Sequence, residues 1–153
     1  DPQVVLRSAA ALDEYGPDFR YGHFARVPNL PVAVGLMGGV GAAAAVAQLQ
    51  LGRSLLARLA PDPGEGPDEA TRAEGWFRVT FLGASPSGST RVEVRGGDPG
   101  YGETSKMLAE SARCLVEDRD RLPDRAGVLT TATALGPILR ARLQARGMTF
   151  EVA

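Results

Sequence analysis

The sequence has few of the residues on which disulfide, metal and nucleophilic sites depend. Its 153 residues include one cysteine, Cys114, and one histidine, His23. A single cysteine cannot form an internal disulfide, which suits a reducing compartment and predicts a cytoplasmic protein. A zinc site or a Ser/His/Asp triad needs several converging side chains, and the sequence shows no such cluster. We therefore expect no bound metal.

An excess of one charge is also missing. The chain has 17 Lys and Arg against 18 Asp and Glu, a net charge of −1. A nucleic-acid-binding surface needs a basic excess, so we expect no nucleic-acid partner. With 44% hydrophobic residues the chain can form one domain, residues 1–153, with a modest core. It begins at Asp1 without a secretory leader, and we expect it to be a piece of a longer protein.

Charged residues are absent from Val27 to Gly52. This stretch opens the helical segment that we predict over 31–60, and it is long enough for a membrane helix, which needs about 20 apolar residues. Gly35 and Gly39 have the spacing that lets helices approach closely. Alanine and glycine dominate the stretch, however, and favour insertion less than leucine does. Two alternatives stay open: a tightly packed buried helix, or a helix that contacts or enters a membrane.

Residues 75–153 have the pattern of an α+β core, an antiparallel or mixed sheet packed with helices. The alternating runs WFRVTFLG and STRVEVRG predict an antiparallel hairpin. Leu108, Ala112 and Leu115 have helical spacing within a helix predicted over Lys106–Glu117. A second helix is predicted in TTATALGPILRARLQARG, with Leu135, Ile138, Leu139 and Leu143 on one face and Gly147 as its C-terminal cap. Pro137 must lie in the first turn of this helix or kink it. The run MTFEV predicts a last strand.

The remaining segments lack a regular pattern. Residues 1–31 are expected to form an extended or looped segment that is held by four aromatic residues, namely Tyr15, Phe19, Tyr21 and Phe24. The stretch Pro61–Glu69, rich in proline, glycine and acidic residues, cannot continue the helix before it. Val128 and Leu129 are expected to form a short extended piece.

The stretch Gly97–Thr104 has the glycine spacing of a phosphate-binding loop, GxxxxGK[ST]. Glu103 occupies the lysine position, where a carboxylate would repel phosphate, so a nucleoside-triphosphate loop is excluded. A weaker hypothesis keeps Gly100 and Gly102 as cofactor-binding residues, because backbone N–H groups at a helix start can hold an anion. The alternative is a purely structural helix start, in which Glu103 favours the helix dipole.

Tyr101 and Lys106 stand on either side of this helix start and are the candidate catalytic residues. A tyrosine and a lysine can polarise a carbonyl or relay a proton. His23 could transfer a proton near neutral pH, but it is also readily explained as a hydrogen-bonded structural residue. We place Tyr21 and His23 as candidates on the substrate side.

Several stretches together resemble one known family. They are YGPDFRYGHFARVPNLPVAVG, GEGP, GWFRVTFLG, GGDPGYGETSKMLAESARCL and TTATALGPILRARLQARGMTFEV, in this order. They resemble the C-terminal half of saccharopine dehydrogenase-like oxidoreductases, in the branch that includes trans-acting enoyl reductases of actinobacterial lipid and polyketide pathways. Gly136-Pro137 departs from the family's usual run, in which an acidic residue tends to follow the glycine.

The resemblance implies the C-terminal, substrate-binding and dimerisation domain of a two-domain reductase. NAD(P)H would be bound mainly by an N-terminal Rossmann domain outside this chain, and the substrate would be a small molecule or an acyl thioester with an activated double bond. A homodimer is implied as well. The main alternative is a non-catalytic module that binds a membrane or a partner through residues 31–52. A third hypothesis is a free-standing binding domain that kept the fold and lost the reaction.

Overall fold

The computed structural model of the protein describes residues 1–59 and 64–152. The chain forms two compact units, one made of Asp1–Tyr21 with Pro67–Ala153 and the other of Gly22–Gly66. The predicted helix end at Ala60 and the first linker residues, Pro61–Pro63, lie outside the described residues. The assignment of 1–153 to one domain stays a prediction.

The regular elements of the described residues are α-helices and β-strands. In chain order they are α1 (Pro2–Ala11), α2 (Leu30–Ala47), α3 (Gln50–Leu59), α4 (Glu69–Glu74), β1 (Phe77–Ser85), β2 (Gly88–Gly96), α5 (Gly102–Glu117), α6 (Thr131–Ala134), α7 (Gly136–Ala145) and β3 (Thr149–Val152). This order confirms the α+β class.

The sheet has the order β1-β2-β3 and is antiparallel throughout, so the antiparallel alternative is right and the mixed one is wrong. The hairpin is confirmed, and its strands extend to Ser85 and Gly88, which leaves a two-residue turn. Gly88 has φ 149°, a conformation that side chains disfavour. Opposite the apolar face, the Glu93 carboxylate is buried between Arg91 and Arg95.

The core of the first unit joins α5, α7 and the start of β3. Its buried hydrophobic residues are Cys114, Leu135, Leu139, Leu143 and Met148. The sheet contributes half-buried side chains to this cluster, namely Phe77, Val94 and Phe150. The predicted apolar face of the last helix is therefore confirmed, as are the position of Pro137 in its first turn and Gly147 as its cap, with φ 93°.

Helix α5 buries its polar side. The predicted helix is confirmed and begins four residues earlier, at Gly102. Its apolar positions Leu108 and Leu115 are 73% and 54% exposed, whereas Glu103, Glu110 and Cys114 are buried. Salt bridges explain the inversion, because each buried carboxylate meets a basic side chain inside the same unit.

The prediction of an irregular segment over residues 1–31 is wrong for its beginning, which forms α1. Hydrogen bonds hold this helix: the Arg7 guanidinium donates to the Val128 carbonyl at 2.8 Å, and the Ser8 hydroxyl lies 2.7 Å from that of Thr130. Val128 therefore serves as an acceptor for α1, and the extended piece predicted there does not form a strand.

Three of the aromatic anchors predicted in this segment have different outcomes. The rings of Tyr15 and Phe19 meet edge to face at 4.8 Å, as a tied-down loop requires. Phe24 is 90% exposed and does not anchor the chain.

The second unit contains two helices in place of one continuous helix. Helix α2 begins at Asn29, whose side chain accepts a hydrogen bond from the Val32 N–H at 3.0 Å. The turn after α2 brings Gly52 so close to the Val46 carbonyl that a Cβ atom would not fit. No residue of α2 is buried, so the expectation of a tightly packed buried helix is wrong.

Candidate functional site

The candidate site is the turn between β2 and α5, and Asp98 organises it. The Asp98 carboxylate accepts hydrogen bonds from the N–H groups of Gly100 at 3.2 Å, Tyr101 at 2.8 Å and Gly102 at 2.8 Å. The bonds from Gly102 and Tyr101 hold the pKa of Asp98 below its ordinary value. The amides at the helix start are thus satisfied by an internal anion.

This geometry gives Gly100 and Gly102 a structural explanation. A cofactor phosphate at the helix start would have to displace the Asp98 carboxylate from both amides. The cofactor-binding role of the two glycines stays a prediction, and the turn itself does not require it. The role of Asp98 as the acceptor was missed, although an aspartate shortly before a helix is a known capping signal.

Glu103 and Lys106 form the second layer of the turn. Glu103 Oε1 accepts from the Gly97 N–H at 3.1 Å and from Lys106 Nζ at 2.6 Å, and Lys106 Nζ also donates to the Arg146 carbonyl at 3.0 Å. Glu103 is buried, and its Oε2 has no hydrogen-bond partner among the described residues. Lys106 therefore joins the start of α5 to the end of α7.

The structure gives the two predicted catalytic residues different surroundings. The Lys106 ammonium is engaged by a carboxylate and a carbonyl, and its side chain is 29% exposed. Tyr101 is 52% exposed, and its backbone is fixed by the Asp98 carboxylate. A rigid backbone under an exposed phenol can present a proton donor to a ligand from outside this unit. Tyr101 is the better placed of the two for such a contact.

The predicted substrate-side residues lie at the boundary of the units. Tyr21 is half-buried and ends the first stretch of its unit, whereas His23 is exposed and belongs to the second unit. Their substrate-side role stays a prediction. Cys114 is fully buried, and burial raises the pKa of its thiol, which disfavours the reactive thiolate.

An ion-pair network between α5 and α7 was not predicted. The Arg142 guanidinium reaches Glu110 at 3.2 Å, Glu117 at 2.6 Å and Asp118 at 2.6 Å, and Arg146 reaches Glu110 at 2.8 Å. The bond from Arg142 holds the pKa of Asp118 below its ordinary value. Burial alone would raise the pKa of Glu110, but Arg142 and its neighbours lower it overall. The only sequence signal was the recurrence of acids on α5 and arginines on α7.

Open depressions lie away from this turn. One is bounded by α1 and the loop that follows it, including Leu6, Pro17 and Phe19, and another lies at the hairpin tip beside Arg91. Neither is lined by Tyr101 or Lys106. Within residues 1–59 and 64–152, no group of three or more His, Cys, Asp and Glu side chains could hold a metal ion.

Comparison with known proteins gives relatives in mycobacteria. A Mycobacterium tuberculosis protein, provisionally named a trans-acting enoyl reductase, is 38% identical over 159 aligned residues, which cover 97% of this chain and 38% of that protein. This chain is homologous to mycobacterial proteins named trans-acting enoyl reductase. The Mycobacterium ulcerans protein of that name is 32% identical with the same coverage. A Mycobacterium bovis protein of that name is 34% identical over 95% of this chain and 37% of its own length.

The chain thus spans less than two fifths of the length of these relatives. No family model matches it. No solved structure gives a significant match.

Proposed function

We propose that the chain is the substrate-side part of an NAD(P)H-dependent enoyl reductase of the saccharopine dehydrogenase-like type. The observation that carries the proposal is the alignment with trans-acting enoyl reductases along 97% of the chain at up to 38% identity. At that level of identity the aligned region shares its fold, so the turn before α5 has a counterpart in the relatives. The net reaction saturates a carbon–carbon double bond conjugated to a thioester carbonyl, with a lipid or polyketide acyl chain as substrate.

The residues of this chain do not fit a dinucleotide site by themselves. The described strands are all antiparallel, whereas a dinucleotide fold needs parallel strands with crossover helices. The helix start that most resembles an anion site is occupied by the Asp98 carboxylate. We therefore assign NAD(P)H binding to a Rossmann domain elsewhere in the full-length protein, and we derive no step of hydride transfer from this chain.

The contribution of this chain is orientation of the acyl substrate. Tyr101 is the residue that we assign to substrate contact, because its phenol is exposed on a backbone fixed by three hydrogen-bonded amides. Lys106 is assigned a positioning role, since its ammonium holds the buried Glu103 and the end of α7. The full-length enzyme is proposed to be cytoplasmic or membrane-associated and to form a homodimer; size-exclusion chromatography with light scattering tests the dimer directly.

The experiment uses the full-length protein with NADPH or NADH and an enoyl thioester. We expect loss of absorbance at about 340 nm, where reduced nicotinamide cofactors absorb, only when the enoyl substrate is present. Tyr101→Phe should lower kcat with unchanged hydrogen-exchange protection of α5, and Leu108→Ala is the control for an exposed site on the same helix. If no enoyl thioester leads to oxidation of NADPH or NADH, the proposal is refuted. Normal kinetics of Tyr101→Phe would remove only this residue.

A second, compatible function is favoured by α2. This helix is long and apolar enough to cross a membrane, and none of its residues is buried. A module that binds a membrane or a partner through residues 31–52 would use this surface, whether or not the remainder of the protein is an enzyme.

A further inference from the structure

We propose that the helical pair α2–α3 binds an anionic lipid bilayer from one side, an inference that rests on the second function proposed above and names its partner. The apolar residues of α2 lie on every side of the helix and include Val34, Leu36, Met37 and Val40, each at least 61% exposed. A helix that is apolar all round normally lies in a protein core or in lipid. Since no residue of α2 is buried, lipid is the environment that fits it.

The charges around α2 favour anionic headgroups. From Gly22, where this unit begins, to Leu59 every charged side chain is an arginine, and the three are Arg26, Arg53 and Arg58. Residues 22–59 therefore carry +3, whereas the whole chain carries −1. Arginines beside a membrane-contacting helix strengthen binding to anionic lipids. A second copy of the segment would meet like charge, which disfavours pairing of two α2–α3 surfaces.

Helix α3 has the pattern of an interfacial helix. Leu51, Leu55 and Leu59 recur every four residues and are 87%, 56% and 75% exposed. By the turn of about 100° per residue, Arg53 lies on the opposite side of the helix from this stripe, and Arg58 lies at the edge of the stripe. Such a helix lies in the headgroup region with its apolar side towards the acyl chains. Gly52, which packs against Val46, fixes the turn that joins α3 to α2.

The course of the chain allows contact with only one side of the bilayer. Residues before and after this segment belong to one compact unit, Asp1–Tyr21 with Pro67–Ala153. Hydrogen bonds fasten α1 to that unit, at Arg7 and Ser8. If α2 crossed the membrane, the return path would carry two arginines of α3 and the acidic linker through hydrocarbon, which is strongly unfavourable. We therefore infer a one-sided attachment.

The experiment is flotation of the full-length protein with vesicles of phosphatidylcholine containing about one third phosphatidylglycerol, an anionic surface. Leu36→Arg with Val40→Arg places two charges on the exposed apolar helix. Leu108→Arg with Val128→Arg is the matched control, because these residues are 73% and 82% exposed in the first unit. Wild type and control should float equally, and the α2 variant should partition at least about a hundred-fold more weakly.

Hydrogen exchange measured with and without vesicles keeps the test independent of folding. Lipid should slow exchange in peptides covering 30–59 of the wild type and leave β1 and β2 unchanged. Absence of flotation at every lipid composition overturns the proposal, and so does equal flotation of the α2 variant. If that variant only converts a dimer to a monomer in light scattering, the surface belongs to a second copy and the lipid proposal falls. Neither result bears on enoyl reduction, which is assayed without lipid.

Discussion

Replacing Leu139 and Leu108 by alanine tests which side of the core helices is buried. Leu139 on α7 is 8% exposed within the core cluster, whereas Leu108 on α5 is 73% exposed. Truncating a buried leucine costs about 2–5 kcal/mol, through lost transfer free energy and the cavity left behind. We expect about 2–3 kcal/mol for Leu139→Ala, because the half-buried Met107 and Ile138 at the edge of the cluster can relax towards the space. Leu108→Ala should change stability by less than about 0.5 kcal/mol.

Native-state hydrogen exchange of the full-length protein measures the loss of local stability in α5 and α7, without assuming that the whole molecule unfolds in one step. Leu139→Ala should speed exchange of the α5 and α7 amides by about 30- to 150-fold. Leu108→Ala should leave these rates within about threefold of the wild type. If Leu108→Ala costs as much as Leu139→Ala, then α5 buries its leucines, and the inversion of its polar and apolar sides is refuted.

Three further substitutions test the turn, the ion-pair network and the helical pair. Asp98→Asn should speed hydrogen exchange at the start of α5, because the amide NH₂ would face backbone N–H donors. The pKa of Asp98 is depressed in the fold, so the stabilisation by its carboxylate is complete above about pH 4 and is lost at lower pH. The exchange rates of wild type and Asp98→Asn should therefore converge at low pH. Arg142→Met should lower the melting temperature more than Arg140→Met on the same helix, because only the former removes a guanidinium that two buried carboxylates, Glu110 and Asp118, share. Equal shifts would show that this guanidinium is dispensable. Gly52→Ala should disrupt the turn between α2 and α3. Gly41 has open space for a Cβ atom, so Gly41→Ala should stabilise α2 by about 1 kcal/mol. Circular dichroism compares the helix content of the two variants.

Elements with a strong period were predictable from the sequence. Alternation identified the hairpin and the last strand, and the leucines of α7 identified its buried face. Each of these elements supplies apolar residues to the core, the strands through Phe77, Val94 and Phe150, so there local pattern and tertiary packing agree. Other apolar positions of the strands, such as Phe81 and Val152, are exposed. The helix capped by Gly147 was found for the same reason, because a left-handed residue after a helix has a local signature.

The features that could not be predicted from the sequence depend on contacts between residues that are distant in the chain or on backbone geometry. On α5 the period of the leucines correctly indicates a helix but not the buried side, because Arg142 lies 32 residues away from Glu110 and nothing local announces the pair. The turn before α5 was recognised as a candidate site, yet the satisfaction of its amides by Asp98 depends on backbone geometry that the glycine spacing does not specify. For α2 an uncharged composition is the same in a core and in lipid, so the sequence could not show that the helix is unburied within this chain.

The distribution of apolar surface argues that this chain works inside a larger assembly. Its described part buries only five hydrophobic residues, whereas Trp76 before β1, Leu82 in β1 and most of α2 are exposed. Large exposed apolar areas on a protein usually mark contacts with a partner, a ligand or a membrane. The +3 charge of residues 22–59 separates two kinds of surface, since it accompanies α2 and α3 but not the exposed Trp76 and Leu82. We therefore assign the charged helical pair to lipid and the exposed face of Tyr101 to the remainder of the reductase, a division in which vesicle binding and enoyl reduction can be lost independently.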